Sequence, residues 1–395
     1  MTDTPEVPLV QTRRSLAERL GAELRFVPVA IGLVTLVLFF ATQSDVFLTS
    51  HNLNNLLVQS TVTGIIALGL VFVLLVGEID LSVAAISGVA SVLMGMLVVD
   101  SGWPIPLAIA AGVAIGAASG RWITLLAVPS FVVTLGVGLV LNGTQLVLLP
   151  NTGRYNLLNT GVEKLAATNV SGSMAWLLVL VGIALFALVR VTSVRARLRA
   201  GLPASTVGGV VIPVAIVALL LVAMLMFLEN LRGLPMPVIL FISLLGVMSY
   251  ISSETRFGLY LYAIGNNAEA ARRAGIKVER IKIMAFAIAG GMAAFGGILS
   301  ASRILGVSVS SGGGVGGGAL LLESIAAAVI GGVSLFGGRG HVVGALFGAL
   351  IIATVSNGLN LMGVANEARL IVTGLLLVIA VSIDRGIERI AAPGS

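Results

Sequence analysis

The sequence contains no cysteine. That excludes disulfide staples, thiolate nucleophiles and Cys-based metal sites. Only two histidines are present, His51 and His341, far apart and without ligand spacing, so no metal centre is expected. Charge is scarce as well. Asp, Glu, Lys and Arg make up 10% of the 395 residues, whereas soluble domains carry about a quarter. The glycine-dense stretch SSGGGVGGGALLLES (310–324) has no Lys-Ser/Thr behind it and is no P-loop. With no Walker sequence elsewhere, the chain is not expected to hydrolyse ATP. The N-terminal segment has no apolar core before Phe26 and includes acidic residues, so it does not read as a cleavable signal peptide.

Apolar residues are abundant, at 57% of the chain. They fall in runs of 16 to 22 residues, and a bilayer-spanning helix needs about 20. A β-barrel would instead show strands alternating over about ten residues. The expected fold is therefore all-α: a polytopic integral membrane bundle of about 10–12 transmembrane helices. Candidate spans cover 26–43, 61–77, 81–99, 103–120, 123–148, 174–189, 207–227, 235–252, 283–302, 319–337, 342–363 and 369–383.

Charge sets the expected orientation. With both termini inside, 18 of the 23 Lys and Arg residues fall on inner segments and five on outer ones. Inner loops of membrane proteins are enriched in these residues, so the bias supports that orientation. The net charge of +6 is accounted for in this way and does not point to nucleic acid. The expected organisation is an inner N-terminal tail (1–25, with an amphipathic stretch near Arg13–Leu24) and a first set of helices (26–252). A charged inner segment (253–282), a second set of helices (283–384) and an inner C-terminal tail (385–395) follow.

The segment 253–282 is the longest charged stretch of the chain. Within it, GNNAEAARRAGIKVER predicts a short helix. Asn266 or Asn267 can cap its start, because a side-chain oxygen there satisfies free amides. Ala, Glu and Arg favour helix and Gly275 ends it. So short a helix is marginal alone in water. One reading is an ordinary solvated loop; the other is a docking element for a soluble partner.

GEIDLS (77–82) places two carboxylates, Glu78 and Asp80, between two apolar runs. A helix break at membrane depth must satisfy its backbone groups some other way. In one reading Asp80 or Ser82 caps the following helix and Glu78 faces headgroups or an Arg such as Arg121. In the other, the break lines a polar path or its inner gate. Asn142, Asn357 and Asn360 are polar residues in apolar spans and are expected to hydrogen-bond between helices. GGMAAFGG (290–297) and GALFGAL (344–350) are expected to let helices pack closely. The Gly-rich 310–324 reads as an outer loop or, alternatively, as a re-entrant segment.

Glu269, Ala270, Ala271 and Gly275 form an EAA-x3-G pattern that resembles the coupling-helix motif of ABC importer permeases. The Ile-x-Leu-Pro continuation is absent; the chain has IKIMAF. The block YAIGNNAEAARRAGI (262–276) resembles sugar permeases of the ribose/xylose/galactoside type. GEIDLSVA, PSFVVTL (129–135) and AAAVIGGVSLFGGRGHVVGA (326–345) are similar to blocks of the same family, and together they cover most of the chain. The Glu of GEIDLS and the pair of spans near 174–227 are most similar to xylose-type permeases. The loop before Glu323 departs most from the family pattern.

The resemblance implies a permease subunit that moves a monosaccharide, such as the pentose xylose, across the inner membrane. It implies a cytosolic ABC ATPase carrying ATP and Mg, an extracytoplasmic sugar-binding protein, a homodimer of this chain and surrounding lipid as partners. No cofactor is expected on the chain itself. Gly265, Asn266, Asn267, Glu269, Ala270, Ala271, Arg272, Arg273 and Gly275 are the expected ATPase-coupling residues. Glu78, Asp80, Ser82, Ser130, Thr134, Asn142, Glu323 and Asn357 are candidates for the translocation path or gate. The rival readings are an ion-coupled transporter using Glu78 and Asp80, and a passive channel.

Overall fold

The computed structural model describes residues 27–101, 105–201, 206–230, 232–313 and 319–391. The expected N-terminal tail, with its stretch near Arg13–Leu24, lies outside the described residues, as do 314–318 of the Gly-rich segment. The helices are α1 (Val27–Gln43), α2 (Ser50–Leu75), α3 (Val83–Ser101), α4 (Pro106–Leu126) and α5 (Ser130–Leu148). Next come the single turn α6 (Lys164–Ala167), α7 (Ser173–Arg199), α8 (Ile212–Glu229, entered through a π-helical turn), α9 (Met236–Glu254) and α10 (Arg256–Asn266). The last are α11 (Ala268–Arg273), α12 (Val278–Ile304), α13 (Ala319–Ile330), α14 (Gly344–Leu361) and α15 (Asn366–Ala391). Among the described residues, strand is limited to two short antiparallel pairs. β1 (Arg154–Asn156) pairs with β4 (Gly306–Ser308), and β2 (Asn169–Val170) with β3 (Leu234–Pro235).

Nine of the helices among the described residues are long and apolar enough to cross a membrane. The chain is a polytopic helical membrane protein. The other three expected spans correspond to the 17-residue α1, the charged α15 and α13. α13 differs most from expectation. Its 12 residues extend only about 18 Å at 1.5 Å per residue. The run expected as one span to residue 337 stops at Ile330 and continues as an irregular segment, 331–343.

The expected span 123–148 is also divided. α4 continues to Leu126, Ala127 turns with a left-handed backbone (φ 49°), and Pro129 starts α5. Proline fixes a φ suited to a helix start and lacks the N–H that would go unpaired there. α2 begins 11 residues before its expected start, at Ser50. α2 ends where Gly77 (φ 75°) lets two amides turn back, Gly77 N to Leu74 O (2.9 Å) and Glu78 N to Val73 O (3.1 Å). This pattern closes the otherwise unpaired carbonyls of a helix end.

The core is built around α12, which packs against α4, α2 and α3. Close approach of backbones makes this packing. A Cβ added at Gly290 would sit 2.2 Å from the carbonyl oxygen of Gly112, and one at Gly348 1.8 Å from that of Ala327. Both contacts are possible only without a side chain, and they match the packing role expected of GGMAAFGG and GALFGAL. α7 and α8 form a hairpin of their own that meets the body mainly through α9.

Candidate functional site

One end of the bundle gathers the break at 76–82, the segment 331–343, and α10 and α11. After the turn at Gly77, residues 78–82 are irregular and outside both helices. The amides of Ile79 and Leu81 are satisfied from the start of α5. Ser130 Oγ accepts from Ile79 N and Thr134 Oγ1 accepts from Leu81 N, each at 3.1 Å. Thr134 Oγ1 in turn donates to Ser130 O at 2.9 Å. The four-residue spacing of PSFVVT puts the two hydroxyls one above the other on one helix face. They therefore meet alternate residues of the break, Ile79 and Leu81.

Asp80 ties the break to the start of α3 through one carboxylate oxygen. Its Oδ1 accepts from Ser82 N (2.8 Å) and from Ser82 Oγ (2.5 Å), and Ser82 O accepts the first helical amide of α3, from Ile86, at 2.8 Å. Asp80 and Ser82 thus build the helix start, as one of the two expected readings had it. Both are fully buried, so neither faces an open path in this conformation. Glu78 does not face Arg121, which is exposed on α4. It forms an ion pair with Lys282, in the second turn of α12, and both side chains are largely enclosed. A charge pair there keeps Glu78 neutralised in an apolar setting.

The break is joined to α10 by backbone contact. Gly338 N donates to Leu75 O at 2.9 Å. A Cβ on Gly265 would lie 1.9 Å from Leu75 O and 2.2 Å from Gly338 N, and one on Gly337 would lie 2.9 Å from Gly77 Cα. Three segments distant in sequence meet with no side chain between them. Tyr262 OH donates to Gly340 O at 3.0 Å, which pins α10 to the same loop.

α11 stands on this joint. Asn267, rather than Asn266, caps it, accepting from Ala270 N at 2.9 Å. Gly275 (φ 84°) ends it, with Ile276 N bonded to Ala271 O and Gly275 N to Arg272 O, each at 3.0 Å. Ala271 is buried beneath it, while Glu269, Ala270, Arg272 and Arg273 are exposed. The carboxylates of Glu279 and Glu269 hold the Arg272 guanidinium above its ordinary pKa. α11 is thus a short, doubly capped, charged helix presented to solvent.

The other expected site residues lie elsewhere. Asn357 and Asn52 exchange two hydrogen bonds of 2.9 Å, tying α14 to the start of α2, so Asn357 has the interhelical role. Glu323 is half-buried on α13 and feels the charge of Arg369, which donates to Asn360 Oδ1 at 3.4 Å. Asn142 is half-buried on α5. Among the described residues, no three of His, Asp and Glu gather as metal ligands.

Gln145 went unnoticed in the sequence. Its amide donates to the carbonyls of Ser308 and Ser311 (3.1 Å) and Val309 (3.3 Å). It holds the start of the Gly-rich segment against α3, where a Cβ on Gly312 would come 2.1 Å from Gly88 N. The described residues at the start of that segment, 310–313, pack against α3. The signal that singled out Asn142, a lone amide in an apolar span, applied equally to Gln145.

Residues 52–381 match the family described as the permease component of branched-chain amino acid transport systems. The chain belongs to this permease family. The permease is 36% identical over 311 residues to the xylose transport system permease protein of Escherichia coli K12, covering 77% of each chain. It is 31% identical over 302 residues to the ribose import permease protein of the same strain (76% of this chain, 74% of that one). It is 31% identical over 387 residues to the fructose import permease protein of Rhizobium meliloti (96% and 91%). No solved structure matches the permease. It is a transport subunit and not an enzyme.

Proposed function

We propose that the permease is the membrane subunit of an ATP-binding-cassette importer for a monosaccharide, with a pentose such as xylose as its substrate. The carrying observation is the joint of Gly77, Gly265 and Gly337. It links the exposed α11 to the break within the bundle without an intervening flexible element. Contact without side chains transmits displacement, because there is no rotamer to absorb it. Similarity to xylose, ribose and fructose permeases supports a sugar as cargo, and the xylose relative supports the pentose.

In this reading the α11 end faces the cytosol, as the distribution of Lys and Arg favours, and the membrane is the inner one. A cytosolic ATPase, which carries ATP and Mg, docks on 265–275. A sugar-binding protein delivers cargo at the opposite end, with 150–173 among the receiving segments. Two copies of the permease form the path between them within the lipid bilayer. ATP-driven closure pushes α11 and, through the joint, the break; preferential binding of the closed ATPase to one state supplies the coupling. The ion-coupled alternative is disfavoured by the pairing of Glu78 with Lys282.

The test is uptake into proteoliposomes holding the permease, its ATPase and its binding protein, with ATP inside or with a proton gradient alone. ATP-dependent uptake, lost on disrupting 269–275, is expected. Gradient-driven uptake indifferent to the ATPase would overturn the proposal.

A further inference from the structure

Five charged side chains form an alternating series from the exposed face of α11 to the break. Glu269 pairs with Arg272 at 3.1 Å, and Arg272 also donates to Glu279 at 2.9 Å. Lys282 lies three residues beyond Glu279, on the same face of α12. Lys282 in turn pairs with Glu78 of the break, 204 residues away in sequence. Exposure falls along the series. Side chains at Glu269 and Arg272 are 59% and 54% exposed, against 20% and 16% at Lys282 and Glu78. Exposed pairs contribute little and exchange partners readily. An enclosed pair is strongly unfavourable to break unless a new partner takes over.

We propose that Glu78 and Lys282 are positioning residues of the transport cycle. Contact at α11 that captures Arg272 releases Glu279, and Glu279 then draws Lys282 from Glu78 and loosens the GEIDLS break. The inference rests on the importer reading above, in which α11 is where the ATPase docks. A pair that merely stapled two segments would hold them regardless of what happens at Glu279.

That contrast defines the experiment. The assembled complex is reconstituted with permease variants, and ATP hydrolysed per sugar delivered is measured with D-xylose, D-ribose and D-fructose as probes. Glu279→Gln leaves the inner pair intact and sits outside the enclosed region. It is expected to raise the ratio about fivefold or more, in the range of ordinary allosteric couplings. Glu78→Leu with Lys282→Met replaces the pair by apolar groups of similar volume, which such sites often tolerate. That double variant is expected to uncouple likewise, while Lys282→Arg retains coupling. Should the double variant fail to assemble, Glu279→Gln and Lys282→Arg decide. ATP-driven wild-type uptake with an unchanged ratio in Glu279→Gln would overturn this inference alone. Wild-type complex that takes up none of the sugars with ATP would overturn the importer reading and this inference with it.

Discussion

α2 and the α7–α8 hairpin are all apolar enough to cross a membrane, yet they use their apolar surfaces differently. In α2, 89% of the span is buried within the protein; in α7 the share is 11% and across Val207–Glu229 it is 6%. The least buried span is also the most apolar. In a bilayer the most hydrophobic helix has no reason to seek the core, because lipid is as apolar as leucine. Small residues and hydrogen-bonding side chains mark the core instead, since they permit backbone contact and gain from it. Leu219 at 71% exposure faces outward, whereas Gly265 touches two other segments.

The contrast can be broken at chosen residues. The largest effect is expected at the joint. Gly265→Ala drives a Cβ into Leu75 O and Gly338 N. Overpacking against backbone costs about 3 kcal/mol or more, so thermal unfolding in detergent should shift sharply and ATP-driven uptake should vanish. Gln145→Leu comes next. It removes three hydrogen bonds, one of them to the buried Ser311 carbonyl, and a buried unpaired group costs about 1–3 kcal/mol. Limited proteolysis should then cut after Ser308 faster than in the wild type. Asn52→Leu strands the amide of Asn357 and is expected to cost about 1 kcal/mol; Asn52→Leu with Asn357→Leu should recover most of it, as a double-mutant cycle would show. Asn267→Ala removes the cap of α11 for about 1 kcal/mol. Uptake should fall more than global stability, because the helix is peripheral to the core. The smallest effect is expected in the hairpin. Gly182→Ala meets nothing within 4 Å and should change stability by less than about 0.5 kcal/mol. A large loss there would show that α7 packs against a partner rather than lipid.

The helices were legible because apolar runs and their punctuation are local signals. Gly275 and Asn267 could be read as the ends of α11 for the same reason. A kink within 123–148 was conceivable from the length of the run, but its place at Ala127–Pro129 had one local sign, Pro129, since Ala127 and Val128 continue the apolar run. The end of α13 at Ile330 had a local sign in Gly331 and Gly332, but the apolar Val333, Leu335 and Phe336 beyond them made the run look longer than its 12-residue helix. The site was legible in parts. Ser130 and Thr134 could be placed beside GEIDLS only through resemblance, and their accepting role needs the non-helical backbone of 78–82. Lys282 and Gln145 could not be paired from sequence at all. Their partners lie 204 and 163 to 166 residues away, and no spacing rule reaches that far.

α11 and the break are expected to move as one body while the α7–α8 hairpin does not. The absence of cysteine allows spin labels to be placed without background. Labels at Arg273 and Phe336 bracket the joint, and labels at Arg273 and Leu198 compare α11 with the end of α7. Distances would be measured in the assembled complex, diluted with unlabelled permease, with and without ATP. An unchanged Arg273–Phe336 distance together with a changed Arg273–Leu198 distance is the predicted result. A changed Arg273–Phe336 distance would show α11 moving without the joint and would contradict the account.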